Sequence, residues 1–294
     1  IAHNIKDLIE VREYILPKIF VFHNCLSTEL SLSKNKVHRK AYFKNIKPLL
    51  KDINKVFISE KKRKDWELNG EVILPGLDIY DYGGYRGDME TVLQVGNQLQ
   101  ERDLMMGYTT SKKIVGNHPL ITIGENSNIH NSRLSDGFQD LLENYRSCRV
   151  FINTTVDEYE DGYNLSMLEA MATGMPVVSS WNKSSPIEDG KNGYISNDLN
   201  YLNKCIESLL KDPEKAIRIG KLGQKTLQDK FPLHRFLDSW QKVIHQSVLA
   251  FLERTGINLK NTNIPFNAKI RKNILMDFVS YPATTAHYLE RAFR

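Results

Sequence analysis

The chain has 294 residues, 41% hydrophobic and 26% charged, the balance of a globular protein of about two domains and not of a disordered or fibrous chain. No apolar run reaches the roughly 18 residues of a membrane span, and no signal-peptide core is visible. Three cysteines, Cys25, Cys148 and Cys205, stand far apart with no CxxC pair. That argues against a disulfide framework or zinc site and fits a reducing cytoplasm. The net charge of +5 is uneven. Residues 31–64 hold twelve Lys or Arg against two Asp or Glu, a local +10, which leaves −5 for the remainder. Such a run reads as a solvated helix face or as a seat for an anionic lipid surface. Nucleic acid is not expected, because no binding motif accompanies the charge.

Short apolar runs alternate with helical patterns, the mark of a parallel α/β fold. Ile19–Phe22 reads as a buried strand ending at His23. Residues 36–52 read as a helix, 55–59 as a strand, 60–68 as a short helix and 71–74 as a third strand stopped by Pro75 and Gly76. Residues 80–88, rich in Gly, Tyr and Asp, lack periodicity and read as a linker.

A second alternating series follows. Strands are expected at 91–96 and 120–124. Residues 138–147 form a helix with apolar side chains at 138, 141, 142 and 145, a helical period. A strand over 150–154 leads into helix Leu165–Thr173, closed by Gly174 and Pro176. Strand Val177–Ser180 and helices over 200–210, 213–231 and 234 to about 252 complete the series. A further helical pattern covers 267–279.

The stretch 158–193 carries the densest chemistry. A strand runs into a loop with four acids, Asp157, Glu158, Glu160 and Asp161, then Gly162, then a helix. Open α/β sheets bind ligands at such strand-to-helix junctions. The free N–H groups and positive dipole end of the helix suit a phosphate. Glycine at 162 would let the phosphate approach the backbone. Glu169 lies eight residues beyond Asp161, about two helical turns, and can point back to the same crevice.

Within this stretch, DGYNLSMLEAMATGMPVVSS resembles the donor-site signature of glycosyltransferase family 4, whose usual form is Glu-Gly-Phe-Gly, an LEAMA-type helix and Gly-x-Pro-Val-Val. The downstream IEDGKNGYIS resembles the family's turn and strand. The match covers about 40 residues. It implies a GT-B fold, with two Rossmann-like α/β domains facing across a cleft. It also implies a retaining, metal-independent glycosyltransferase that uses a nucleotide-sugar donor and needs no cofactor.

By that resemblance the paired acids are Asp161 and Glu169, Asp161 with Glu160 holding the sugar and Glu169 the ribose. The diphosphate would meet Gly162, Tyr163, Asn164 and Leu165 at the helix start. The family's Gly-Arg then Lys pair, which holds the diphosphate, falls on VGNQLQERD, where Asn97 replaces the Arg and Arg102 stands near the Lys. Arg86 and Arg133 are candidates for the missing cation. FVFHN resembles the family's strand-then-His element and nominates His23 beside the donor sugar; KVFISEKKRKDW resembles its strand, Ser-Glu, helix element. Each nominee also has a plain structural reading. His23 can close a strand, Asp161 and Glu160 can cap a helix, Tyr163 can pack under the loop, and Arg102 can be a surface residue.

The family's first strands and Gly-rich acceptor loop are not seen, and residue 1 is Ile. An N-terminally truncated chain is therefore expected, short of a complete enzyme by roughly 80–120 residues. The reading assigns 1–82 to a partial acceptor-side domain, 83–252 to the donor domain and 253–294 to a helical extension. The acceptor is expected to be a glycan or lipid-linked glycan, and the place of action the cytoplasm or the inner face of an anionic membrane. Lys61, Lys62, Arg63 and Lys64 are the expected docking cations, because they oppose the dipole at a helix start. The alternatives are a non-catalytic binder of nucleotide sugar or glycan, and a GT-B epimerase or phosphorylase.

Overall fold

The computed structural model describes residues 1–32 and 38–256. The helix expected over 36–52 begins partly outside these residues, and the pattern over 267–279 lies wholly outside them. Among the described residues the chain folds into two parallel-stranded units.

The first unit contains α1 (Ile5–Glu10), β1 (Ile19–Phe22), α2 (Leu26–Leu32), α3 (Arg39–Ile46), β2 (Asn54–Phe57), α4 (Glu60–Trp66) and β3 (Glu71–Val72). Its strands lie in the order β1-β2-β3, with Val21 opposite Val56 and Phe57 opposite Val72. All four residues of β1 are buried, as a strand covered on both faces must be. On one side Phe20, Phe22, Phe57 and Trp66 share a core, with Phe22 stacked on Phe57 at 4.4 Å between centroids.

After α5 (Ile79–Tyr82), the second unit runs through β4 (Met89–Val95), α6 (Asp103–Met106), α7 (Tyr108–Val115), β5 (Leu120–Ile123), β6 (Ser132–Arg133), α8 (Gly137–Ser147) and β7 (Cys148–Asn153). It continues with α9 (Leu165–Thr173), β8 (Val177–Ser180), β9 (Tyr194–Ser196), α10 (Leu199–Lys211) and α11 (Pro213–Lys230). Its six parallel strands have the order β6-β5-β4-β7-β8-β9. The chain builds outward from β4 to β6, then returns to β7 on the other side. That reversal between β4 and β7 is the switch point at which open parallel sheets bind ligands. α9 lies in the core beneath it. Its residues 167–173 are all buried, Asn164 Oδ1 accepts the Met167 N–H as N-cap, and Gly174 ends it at φ +95°.

The last helix, α12 (Leu233–Thr255), packs on the unit it does not follow in sequence. Trp240 and Val243 are buried against Ile19, Val21, Val56 and Ile73, with Phe236 and Ile244 at the margin. Residues 234–252 were grouped with the second unit on sequence. The structure differs because α12 carries an apolar face at 236, 240, 243 and 244, which covers one side of the first sheet. The 80–88 stretch differs too. α5 occupies its start, and Tyr82 is buried in the second unit's core.

Candidate active site at the sheet switch point

A cavity of about 450 Å³ opens at the carboxyl ends of β4 and β5, against the start of α9. Asn97, Arg102, Glu160, Asn164, Leu165 and Glu169 line it, six of the ten residues nominated on sequence. Ile123, Leu134, Phe138 and Leu141 supply an apolar wall. An apolar surface with a few polar groups is the usual make-up of a small-molecule site.

Glu169 is the most constrained member. It is 4% exposed, and its oxygens accept hydrogen bonds from Tyr145 Oη at 2.8 Å and Tyr82 Oη at 3.3 Å. Burial, then the neighbouring Glu169, drives the Tyr145 hydroxyl far above its ordinary range, so it stays a donor. These two hydroxyls fix the carboxylate at the edge of the cavity. Tyr145 came from the sequence only as a core position of α8, and Tyr82 lay in the presumed linker. Nothing in either stretch marks a carboxylate partner.

The start of α9 is braced by a polar chain. Asn164 Nδ2 donates to Asn153 Oδ1, whose own amide reaches Thr155 and Ser179. Ser166 Oγ bonds both Asn164 Oδ1 and the Val95 carbonyl, which ties the helix start to the end of β4. Gly162 differs from expectation. Its N–H is already taken by Ser184 Oγ at 2.8 Å. A Cβ there would come within 2.4 Å of the Ser185 backbone nitrogen. Glycine is needed at 162 for the loop over 182–185 to pack, and its amide is not free for phosphate. Tyr163 also differs. It does not line the cavity and packs edge-on against Phe231 at 5.0 Å.

The cations are fewer than the family pattern. Asn97 Oδ1 accepts the Glu125 N–H at 2.9 Å, a turn-stabilising bond. Arg102 lines the cavity with its guanidinium near the Asn97 carbonyl at 3.4 Å. Arg86 pairs with Glu143, and Arg133 with Asp140; neither lines the cavity. Their carboxylate partners explain why they do not fill the vacated position.

Asp161 and Glu160 meet the first unit. Lys62, 1% exposed, places its Nζ against both Glu160 Oε1 and Asp161 Oδ2. Burial opposes its charge, but Glu160 and Asp161 outweigh that and hold the ammonium above its usual range. Lys61 reaches Asp157, and Arg63 pairs with Glu60 at 2.9 Å. Three of the four expected docking cations are thus committed within the molecule, leaving Lys64. A signal for Lys62 existed in the sequence. Ser59, Lys62 and Trp66 fall on one face of α4 at helical spacing, and that is the buried face.

His23 sits at the end of β1, 2.8 Å from His3 between ring nitrogens. Burial, then the neighbouring His3 and Lys62, pushes its pKa down to about 3, so the ring is neutral near pH 7. It does not line the cavity at the switch point; it borders a smaller one of about 260 Å³ in the first unit with Asn24, Glu29 and Tyr42. Among the described residues no group of three or more His, Cys, Asp or Glu could hold a metal, and no helix is long and apolar enough to cross a membrane.

Residues 98–212 match the family described as Glycosyl transferases group 1. The chain is 25% identical over 142 residues to a poly(glycerol-phosphate) alpha-glucosyltransferase of Bacillus subtilis, covering 46% of this chain and 20% of that protein. It is 35% identical over 121 residues to spore coat protein SA of B. subtilis, 40% of this chain and 29% of that protein. It is 31% identical over 107 residues to a poly(ribitol-phosphate) alpha-N-acetylglucosaminyltransferase of Staphylococcus aureus, 35% and 20%. The chain therefore spans less than a third of the length of these relatives.

Among solved structures, S. aureus TarM in complex with UDP superposes with a TM-score of 0.58 at 20% identity, over 77% of this chain and 50% of that one. Anabaena HepE in complex with UDP-glucose gives 0.59 at 16%, over 82% and 76%. The chain has the parallel α/β GT-B fold of these structures, and residues 98–212 resemble the glycosyl transferases group 1 family.

Proposed function

We propose that the chain transfers a sugar from a nucleotide-sugar donor to a glycan or lipid-linked acceptor, with retention of configuration and without a metal. The observation that carries this reading is the buried Glu169 facing a cavity of about 450 Å³ at the sheet switch point. Its carboxylate accepts the paired ribose hydroxyls. The diphosphate lies at the start of α9, where the helix dipole favours negative charge, and Arg102 adds a cation. Those groups stabilise the departing diphosphate electrostatically. Asp161 and Glu160 accept hydroxyls of the sugar. His23 is the first unit's nominee beside them, neutral and linked electrostatically to Lys62. Retention rests on the family resemblance alone.

The test is donor hydrolysis and transfer by the full-length protein, using UDP-glucose and UDP-N-acetylglucosamine, sugars suggested by the relatives' activities. Turnover is expected to survive EDTA. Loss on chelation with recovery on magnesium would refute the metal-free site. Donor binding without turnover would favour the non-catalytic relative, and a requirement for free phosphate would favour a phosphorylase.

A membrane position has separate support. Lys40, Lys44, Lys47 and Lys51 are exposed along α3 and the turn after it, at spacings of four, three and four, and none is in an ion pair among the described residues. Near an anionic bilayer each basic residue is worth about 1 kcal/mol. Salt-sensitive sedimentation with phosphatidylserine vesicles is expected, and it should be lost when these four become Gln. No sedimentation at low salt would return the stripe to a solvated helix face.

A further inference from the structure

The loop between β7 and α9 is held from both sides. From the second unit, Asn182 donates to the carbonyls of Thr155 and Glu160, and Ser184 accepts from Gly162. From the first unit, Thr28 Oγ1 donates to the Tyr159 carbonyl, Lys61 reaches Asp157, and Lys62 reaches Glu160 and Asp161. Only Lys62 among these brings a fully buried charge.

That placement has a chemical consequence. Glu160 and Asp161 are adjacent carboxylates, Asp161 buried and Glu160 part-buried, and at that separation like charges repel. One ammonium has three N–H donors and no acceptor, so it can bind an oxygen of each acid at once. The trio keeps a net charge of −1. Asp161 Oδ1 is buried and has no hydrogen-bond partner among the described residues. Native structures rarely leave a buried carboxylate oxygen unsatisfied without a ligand or water to meet it. Glu160, the other acid of the pair, lines the donor-side cavity, and Asp161 sits one residue behind that wall.

We infer that Lys62 is a positioning residue of the donor-sugar site, supplied by the first unit. It fixes Glu160 and Asp161 with one oxygen each on the ammonium, and so reserves Asp161 Oδ1 for a sugar hydroxyl. The inference rests on the reading that the cavity binds a nucleotide sugar. In this arrangement α4 completes a site whose nucleotide contacts all belong to the second unit. Lys62 therefore acts on the sugar and not on the nucleotide. It works through the two acids, with no contact to the reacting atoms.

The experiment is steady-state hydrolysis of UDP-glucose or UDP-N-acetylglucosamine, whichever the wild type turns over faster, with UDP as competitive inhibitor. Lys62→Met is expected to lower kcat at least 30-fold while the UDP inhibition constant stays within threefold. Thr28→Val, which removes a neighbouring contact to the same loop without touching charge, is expected to leave both within threefold. Should Lys62→Met not fold, Lys62→Arg keeps the charge but replaces the compact ammonium with a bulkier planar fork, and is expected to lower kcat at least tenfold with unchanged UDP inhibition. Unchanged kcat in the folded variant, or parallel loss of kcat and UDP inhibition, overturns the inference. A wild type with no turnover or no UDP inhibition overturns the nucleotide-sugar reading beneath it.

Discussion

α9 and α4 each bury one charged residue at the candidate site, and they do so in opposite ways. α9 is apolar almost throughout; Glu169 is its single charge, satisfied by two tyrosine hydroxyls of its own unit. α4 reads Glu-Lys-Lys-Arg-Lys-Asp-Trp, and buries only Lys62 and Trp66. Its buried charge is satisfied by carboxylates about 100 residues away, on the other unit. Losing a hydroxyl from a buried carboxylate leaves an acceptor unsatisfied, at about 1.5–3 kcal/mol, but both of these donors come from the unit that holds Glu169. A charged partner in a dry pocket leaves an uncompensated ion behind. The α9 carboxylate therefore keeps its partners within one unit, and the acid pair depends on the first unit.

The largest effect should fall on that dependence. Lys62→Met leaves buried Asp161 and part-buried Glu160 without a cation, and breaking a buried ion pair typically costs about 3–5 kcal/mol of stability. Urea unfolding should show this as a lower midpoint. A loss under 1 kcal/mol would mean that water already compensates the acids and that the two helices do not differ as described.

A smaller effect should come from His23, on the same face of the first unit. Its folded pKa, about 3, lies below the ordinary 6.5. The unfolded chain thus binds a proton that the folded chain refuses. The stability tied to the neutral ring is present above pH 6.5 and is lost as pH falls toward 3. From pH 7.5 to 5.0 that amounts to about 2 kcal/mol. His23→Gln should flatten the decline in unfolding free energy over that interval. An equal slope in both proteins would place the pH sensitivity elsewhere.

The same contrast explains what the sequence made legible. α9 and β8 match their expected bounds residue for residue, because cap, apolar period and C-terminal Gly174 lie in one contiguous stretch. The β7-to-α9 junction was likewise legible as a strand, a loop and a helix. Short polar elements were not: α1, α2 and α7 have mixed periodicity, and β6 has two residues. α12 was found as a helix but not as a cover for the first sheet, since the helical period shows an apolar face and not its partner. In the site, Glu169 and Arg102 came from a local pattern. Lys62 was hidden in a run of four cations, and Tyr82 in a stretch without periodicity. Gly162 is expected from the sequence to admit a phosphate; in the structure its space is taken by Ser185 and its amide by Ser184.

The most direct test of the account is calorimetric titration of UDP into the wild type and into Glu169→Gln, with circular dichroism to confirm the fold. The substitution keeps the side-chain volume and one acceptor for the tyrosines, but removes the charge offered to the ribose. A hydrogen bond to a charged group is worth about 1.5–3 kcal/mol, so the wild type should bind UDP at least tenfold more tightly than the variant. No UDP binding by the wild type, or equal affinity in two folded proteins, would contradict the claim that Glu169 holds a nucleotide in this cavity.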